Sequence, residues 1–174
     1  MLKEQTKNRA TQEECWLLEK GYLTGLSPER CKEFLGQLNT VHVKAGETIF
    51  AQGELEEQLF IIRSGEVAVG HTSDNHNRVE FGMFGSVDFY EDDTTDAQWL
   101  DKAIMKSGEC IGELDVGRQV RHNLTARAEN NAELFCLDAA CLKAMAGKNE
   151  KLCQTLGNAL RRSIKKVNNR AMSR

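Results

Sequence analysis

The chain contains one proline among 174 residues, and that proline, Pro28, stands where a helix should begin, so prolyl breaks elsewhere are absent. No run of about eighteen apolar residues is present, which excludes a hydrophobic membrane-spanning helix. The N-terminal stretch Met1-Leu2-Lys3-Glu4-Gln5-Thr6-Lys7 lacks the apolar core of a secretory signal, so an intracellular, cytoplasmic setting is expected. A strong basic excess is also missing. The formal net charge is −3, which argues against a nucleic-acid-binding domain, because phosphate neutralisation needs clustered Lys and Arg. The one basic patch, Arg161-Arg162-Ser163-Ile164-Lys165-Lys166, reads as a solvated helix face, with a docking surface for an acidic partner as the alternative.

Metal and disulfide signatures are absent as well. The six cysteines (Cys15, Cys31, Cys110, Cys136, Cys141, Cys153) include no Cys-x-x-Cys pair and several fall in apolar patterns, so free, buried thiols are expected. His42, His71, His76 and His122 lack the His-x-His or His-x-x-x-His spacing that would gather a metal on one strand or helix.

What is present is 40% hydrophobic and 28% charged, a balance that fits one ordinary globular domain with a sizeable core. Thr11-Gln12-Glu13-Glu14 resembles a capping box ahead of Cys15, Trp16, Leu17 and Leu18, and Ser27-Pro28-Glu29-Arg30 opens a second helix with Cys31, Phe34, Leu35 and Leu38 at helical spacing. Residues 1–40 are therefore expected to be helical. Short β segments follow, at 41–44, 48–51, 58–63 and 67–69, separated by Ala45-Gly46-Glu47, Gln52-Gly53-Glu54 and Ser64-Gly65-Glu66. Close, regular spacing with glycine at each corner predicts an antiparallel barrel or jelly roll.

A further strand is expected at 78–84, then an exposed acidic loop at Glu91-Asp92-Asp93-Thr94-Thr95-Asp96, which lacks the spaced oxygen ligands of a calcium loop. Residues 132–138 read as the last strand, with Asp138 able to cap a helix from Ala139. Leu152, Leu156, Leu160 and Ile164 recur every four residues and predict an amphipathic C-terminal helix.

The most telling residues are Gly112-Glu113-Leu114-Asp115, followed by Arg121-His122-Asn123-Leu124-Thr125-Ala126-Arg127-Ala128. A Gly-Glu turn leading into a short helical segment offers backbone N–H groups for an anion and a carboxylate for vicinal hydroxyls. Together with 44–53, 59–67, 111–114 and 128–138, these residues resemble the cyclic nucleotide-binding domain of protein kinase A regulatory subunits, cyclic nucleotide-gated channels and bacterial catabolite activators. The resemblance runs from about Leu26 to beyond Leu160.

The resemblance implies an α+β, mainly β fold: an eight-stranded antiparallel β-roll over 41–138 with a phosphate-binding-type cassette at 111–126, flanked by helices at 1–40 and 139–174. It implies ligand-binding roles for Gly112, Glu113, Leu114, Arg121, His122, Asn123 and Thr125. Gly112 would admit the ligand closely, Glu113 would accept the ribose 2′-hydroxyl, and Leu114 would anchor the cassette. Thr125 matches the serine or threonine that follows the family's phosphate-binding arginine by three residues. At the arginine itself stands His122, or Arg121 if the cassette is one residue shorter. Histidine, with an ordinary pKa near about 6.5, lacks arginine's permanent charge and bidentate fork. Asp115 adds negative charge beside it, which Arg118 or Arg121 would have to offset.

The expected function is regulatory. A small nucleotide-type ligand, cyclic AMP or cyclic GMP, would move the C-terminal helices and so alter a protein partner such as a kinase, channel or other effector, with weak or non-standard ligand preference. No nucleic acid, membrane insertion, metal or catalytic residue is expected, and no DNA-binding helix-turn-helix follows the barrel. The alternative is a degenerate domain that binds no cyclic nucleotide and serves as an assembly module. An enzyme on a related jelly roll, such as a cupin, would need histidines and a glutamate around a metal. The segment between Gly70 and Ile111 exceeds the family's usual length by about fifteen residues, an insert that would cover the pocket or lie as a surface loop.

Overall fold

In a computed structural model the described residues are 12–55, 58–73, 98–112, 121–138, 140–141, 144 and 150–171. The glycine-cornered segments pair as expected. Eight strands form among the described residues: β1 (Asn39–Val43), β2 (Thr48–Phe50), β3 (Gln58–Ser64), β4 (Glu66–Gly70), β5 (Ala103–Lys106), β6 (Cys110–Gly112), β7 (Thr125–Ala128) and β8 (Ala132–Asp138). They lie in two four-stranded antiparallel sheets, ordered β1-β8-β3-β6 and β2-β7-β4-β5. Gly65 alone joins β3 to β4, with φ of 88°. A Cβ there would meet the Ala132 and Asn131 backbone at 2.7 Å, so the turn and the close passage of β8 both require glycine.

The unbroken apolar run of β3 is explained by burial on both faces. Leu59 and Ile61 join a cluster with Leu17, Leu23, Phe34, Phe135, Leu152 and Leu156, which is where the helices cover the outer face of the first sheet. Phe60 and Ile62 point the other way, into the roll, with Phe50, Val69, Met105, Ile111 and Leu134. Each such side chain taken wholly out of water stabilises the fold by about 1.5–3 kcal/mol.

Helix α1 covers residues 12–19, and its Trp16 ring meets Phe135 edge-on at 5.8 Å between centroids. Helix α2 (Pro28–Leu35) starts as its sequence requires: Ser27 is the N-cap, its hydroxyl accepts from Arg30 N at 3.4 Å, and Pro28 occupies the first turn. Helix α3 (Glu150–Ala171) packs its buried Leu152, Leu156 and Leu160 against the outer cluster. No helix among the described residues is long and apolar enough to cross a membrane.

Some expectations change. Residues 1–40 are not helical throughout, since 20–25 turn and β1 already begins at Asn39. Ile164 does not continue the buried stripe and is 44% exposed. Steps of four residues drift by about 40° each around a 3.6-residue turn, so the buried line passes instead to Ser163 and Val167. The free thiols are not all buried: Cys31, Cys110 and Cys136 are, Cys141 and Cys153 are half-buried, and Cys15 is exposed. The strand expected at 78–84 and the acidic run at 91–96 lie outside the described residues, as does Ala139 itself, but Ala140, Cys141 and Ala144 are helical as the helix expected there requires. The neck of the long insert is described: Thr72 bridges Trp99, Ser73 N donates to Gln98 O at 2.9 Å, and Leu100 N donates to His71 O at 2.9 Å. The insert thus leaves and re-enters the roll at one place.

Candidate ligand cavity

Between the open end of the roll and α3 lies a cavity of about 140 Å³. The roll contributes Phe50, Val69, His71, Ile111, Gly112, Asn123 and Leu124, and α3 contributes Leu160, Ser163, Ile164, Val167 and Asn168. This is the size of void that takes a benzene-sized guest, and well below the roughly 300–1,000 Å³ of ordinary small-molecule sites. The helix is tethered there by Lys166, whose ammonium donates to both carboxylate oxygens of Glu109 at 3.0 and 2.8 Å.

Gly112 ends β6 at φ 110° and lines the cavity. A Cβ at this position would run into the Gln58 carbonyl oxygen of β3, so the backbone of the pair β3–β6 is drawn close by the missing side chain. Glu113, Leu114, Asp115 and Arg118 lie outside the described residues.

The segment before β7 divides its side chains. Arg121 is exposed and its guanidinium donates to the Gly53 carbonyl at 2.7 Å, on the β2–β3 turn. His122 is 2% exposed, stacked on Phe50 with centroids 4.2 Å apart and planes 19° from parallel. Neither ring nitrogen has a hydrogen-bond partner among the described residues, a costly state for a buried polar group. Its backbone is pinned on both sides, with His122 N donating to Glu54 O at 3.0 Å and Gly53 N donating to His122 O at 2.7 Å. Asn123 lines the cavity. The buried Thr125 hydroxyl accepts from Gln52 N at 3.1 Å and meets the Thr72 hydroxyl at 3.1 Å, so it ties β7 to its neighbours.

A polar pair absent from the sequence reading stands on the same cavity. His71 Nδ1 lies 3.0 Å from each carboxylate oxygen of Asp101, and His71 N donates to Asp101 Oδ1 at 2.8 Å. Gly70 makes the pairing possible, because a side chain there would collide with the Asp101 carbonyl oxygen. Cys110, also on the cavity wall, is fully buried, and burial pushes its thiol well above the ordinary value, so it is an inert apolar surface. No group of three or more His, Cys, Asp or Glu able to hold a metal occurs among the described residues.

The family model for the cyclic nucleotide-binding domain matches residues 40–95. The chain has the cyclic nucleotide-binding domain fold. It superposes on Thermus thermophilus catabolite activator protein with a TM-score of 0.60 and 21% identity, covering 84% of this chain and 59% of that one. It superposes on the regulatory domain of Toxoplasma gondii PKA, crystallised with cAMP, at 0.64 and 17% identity, covering 89% and 52%. With the sensor domain of the transcriptional regulator DNR from Pseudomonas aeruginosa the TM-score is 0.61 at 18% identity, covering 84% and 85%. None of the curated proteins compared with the chain matches it.

Of the residues singled out in the sequence, Gly112 and Asn123 line this cavity. The sequence motifs missed Phe50, His71, Asp101, Ser163 and Asn168. The local pattern carries a weak signal only for Phe50, an apolar strand residue beside a glycine turn; His71 and Asp101 are 30 positions apart and nothing local connects them.

Proposed function

We propose that this chain is a regulatory, non-enzymatic domain acting in the cytoplasm, in which a small nucleotide-type ligand of the cyclic AMP or cyclic GMP class enters between the β-roll and α3. The observation that carries this reading is the shared cavity of about 140 Å³: one wall is the roll and the other is the helix, so an occupant touches both and can displace α3. That displacement is the signal passed to a protein partner. Gly112, Glu113, Leu114, Arg121, His122, Asn123 and Thr125 are the proposed ligand-binding set, and no metal takes part. With His122 in the arginine's place, an imidazole offers a phosphate one hydrogen bond where a guanidinium offers two in parallel, so affinity for a cyclic phosphate is weak or the preferred ligand is non-standard.

The test is calorimetry and thermal melting of the intact chain with cyclic AMP, cyclic GMP and a panel of nucleosides and nucleotides. A ligand that binds only the folded state raises stability by about 2.7 kcal/mol at a hundredfold excess over its Kd. Absence of heat and of any melting shift at millimolar concentration rejects this function for the compounds in the panel.

A second reading has its own support: the Arg121 guanidinium is bonded to Gly53 O, and the Thr125 hydroxyl is bonded within the roll. Under it the domain binds no cyclic nucleotide and serves assembly. The double variant His122→Arg, Asp115→Ala would then gain cyclic nucleotide binding that the unaltered chain lacks.

A further inference from the structure

The geometry points to the His71–Asp101 pair as a specificity device that reads a hydrogen-bond donor on the ring of the ligand, selecting a purine with a 6-amino group over one with a 6-oxo group. This rests on the proposed function, since it assumes a purine-bearing occupant of the cavity.

His71 lines the cavity and its side chain is 41% exposed, which places it at the rim where an entering ring edge would pass. Asp101 is only 13% exposed and its carboxylate sits 3.0 Å from Nδ1. A carboxylate accepts and does not donate, so Nδ1 carries the proton and donates to Asp101. In the tautomer that this bond selects, Nε2 faces outward as an acceptor, and among the described residues it has no hydrogen-bond partner. An amino group satisfies it. A carbonyl oxygen in the same place sets two acceptors against each other, with the Asp101 charge behind them.

The backbone holds the pair in place. Asp101 Oδ1 also accepts from His71 N, and the glycine at 70 lets residues 101 and 102 press against the end of β4. Moving the ring proton from Nδ1 to Nε2 would lose the carboxylate bond. Most of the apolar lining, such as Phe50, Val69, Leu124 and Leu160, grips a planar ring without regard to its substituents, so discrimination falls to the few polar groups.

The experiment measures calorimetric affinity of the intact chain for adenosine 3′,5′-cyclic monophosphate and for its inosine counterpart, which differ in the 6-substituent and in the proton that the 6-oxo ring carries on N1. The unaltered protein is expected to favour the amino compound by about tenfold, modest because the site is half open to water. His71→Gln, whose amide can turn to donate or accept, brings the two to near parity. Asp101→Asn keeps an oxygen for His71 N but offers an N–H to Nδ1, moving the ring proton to Nε2, and the preference reverses. A merely structural role for the pair would lower both affinities together. Equal affinity in the unaltered chain, or a preference that survives both substitutions, overturns the assignment while leaving ligand binding intact. If neither compound binds at millimolar concentration, the ligand-binding function fails and the assignment falls with it.

Discussion

Lys166 on α3 grips Glu109 on the turn between β5 and β6, with its ammonium bonded to both carboxylate oxygens. Glu109 Oε2 also accepts from Lys106 N at 2.7 Å, so the carboxylate is fixed by its own turn before the lysine arrives. The helix that walls the cavity is therefore latched to the roll at one point. Both side chains are about a third exposed, at 36% and 30%, and solvent screening limits the strength of the pair.

Lys166→Met keeps the aliphatic stem and removes the latch. Stability should fall by only about 0.5–1 kcal/mol. Amide hydrogen exchange along α3 should quicken while that of β3 and β8 stays unchanged, and any ligand that displaces α3 should bind more tightly. Unaltered exchange in α3 would show that apolar packing alone holds the helix.

Gly112→Ala places a methyl group against the Gln58 carbonyl and forces a side chain onto a backbone at φ 110°. Strained backbone alone costs about 1–3 kcal/mol, and the overlap adds to it. Urea denaturation should show a loss of at least about 2 kcal/mol relative to the unaltered chain. A variant of equal stability would mean that β6 can move away from β3 freely.

His122→Phe preserves the stack on Phe50 and removes two buried ring nitrogens that have no partner among the described residues. Relieving an unsatisfied buried polar group is worth about 1–3 kcal/mol, so the variant should be more stable by about 1 kcal/mol once imperfect packing is allowed for. The same variant should lose ligand response under the proposed function. Gain of stability with unchanged ligand affinity would remove His122 from the binding set.

Alkaline pH should weaken the fold. Burial raises the Tyr22 phenol and the Cys110 thiol above their ordinary values of 10.0 and 9.0, and the Tyr22 hydroxyl donates to Gly108 O at 3.1 Å. Both groups are neutral when folded, so their raised values contribute stability that is fully present below about pH 9 and is lost as pH climbs toward the folded values. Melting temperatures recorded from about pH 7 to about pH 11 should fall above pH 9, and Tyr22→Phe should flatten the part of the decline above pH 10. A profile unchanged by that substitution would assign the loss elsewhere.

Much of the roll was readable locally. Alternation and glycine corners located β1 to β4 and β8 because strand periodicity and turn geometry act over a few residues, and the Ser27-Pro28 start of α2 follows from capping alone. The three-residue β6 and the four-residue β5 and β7 escaped notice. Short segments such as Cys110–Gly112 and Thr125–Ala128 have too little pattern of their own, and only pairing with β3, β2 and β4 makes them strands.

By itself the sequence determined an antiparallel roll flanked by helices and the turn glycines, since each follows from local sterics and periodicity, while Gly112 and Asn123 as candidate ligand contacts came from the resemblance to the family. Only the tertiary structure decided that Arg121 turns to Gly53 while His122 is buried against Phe50, that the buried line of α3 passes from Leu160 to Ser163 and Val167 and leaves Ile164 exposed, and that His71 meets Asp101. Those outcomes depend on which backbone segments approach one another across the roll, through contacts 30 or more residues apart in the chain, which no local pattern encodes.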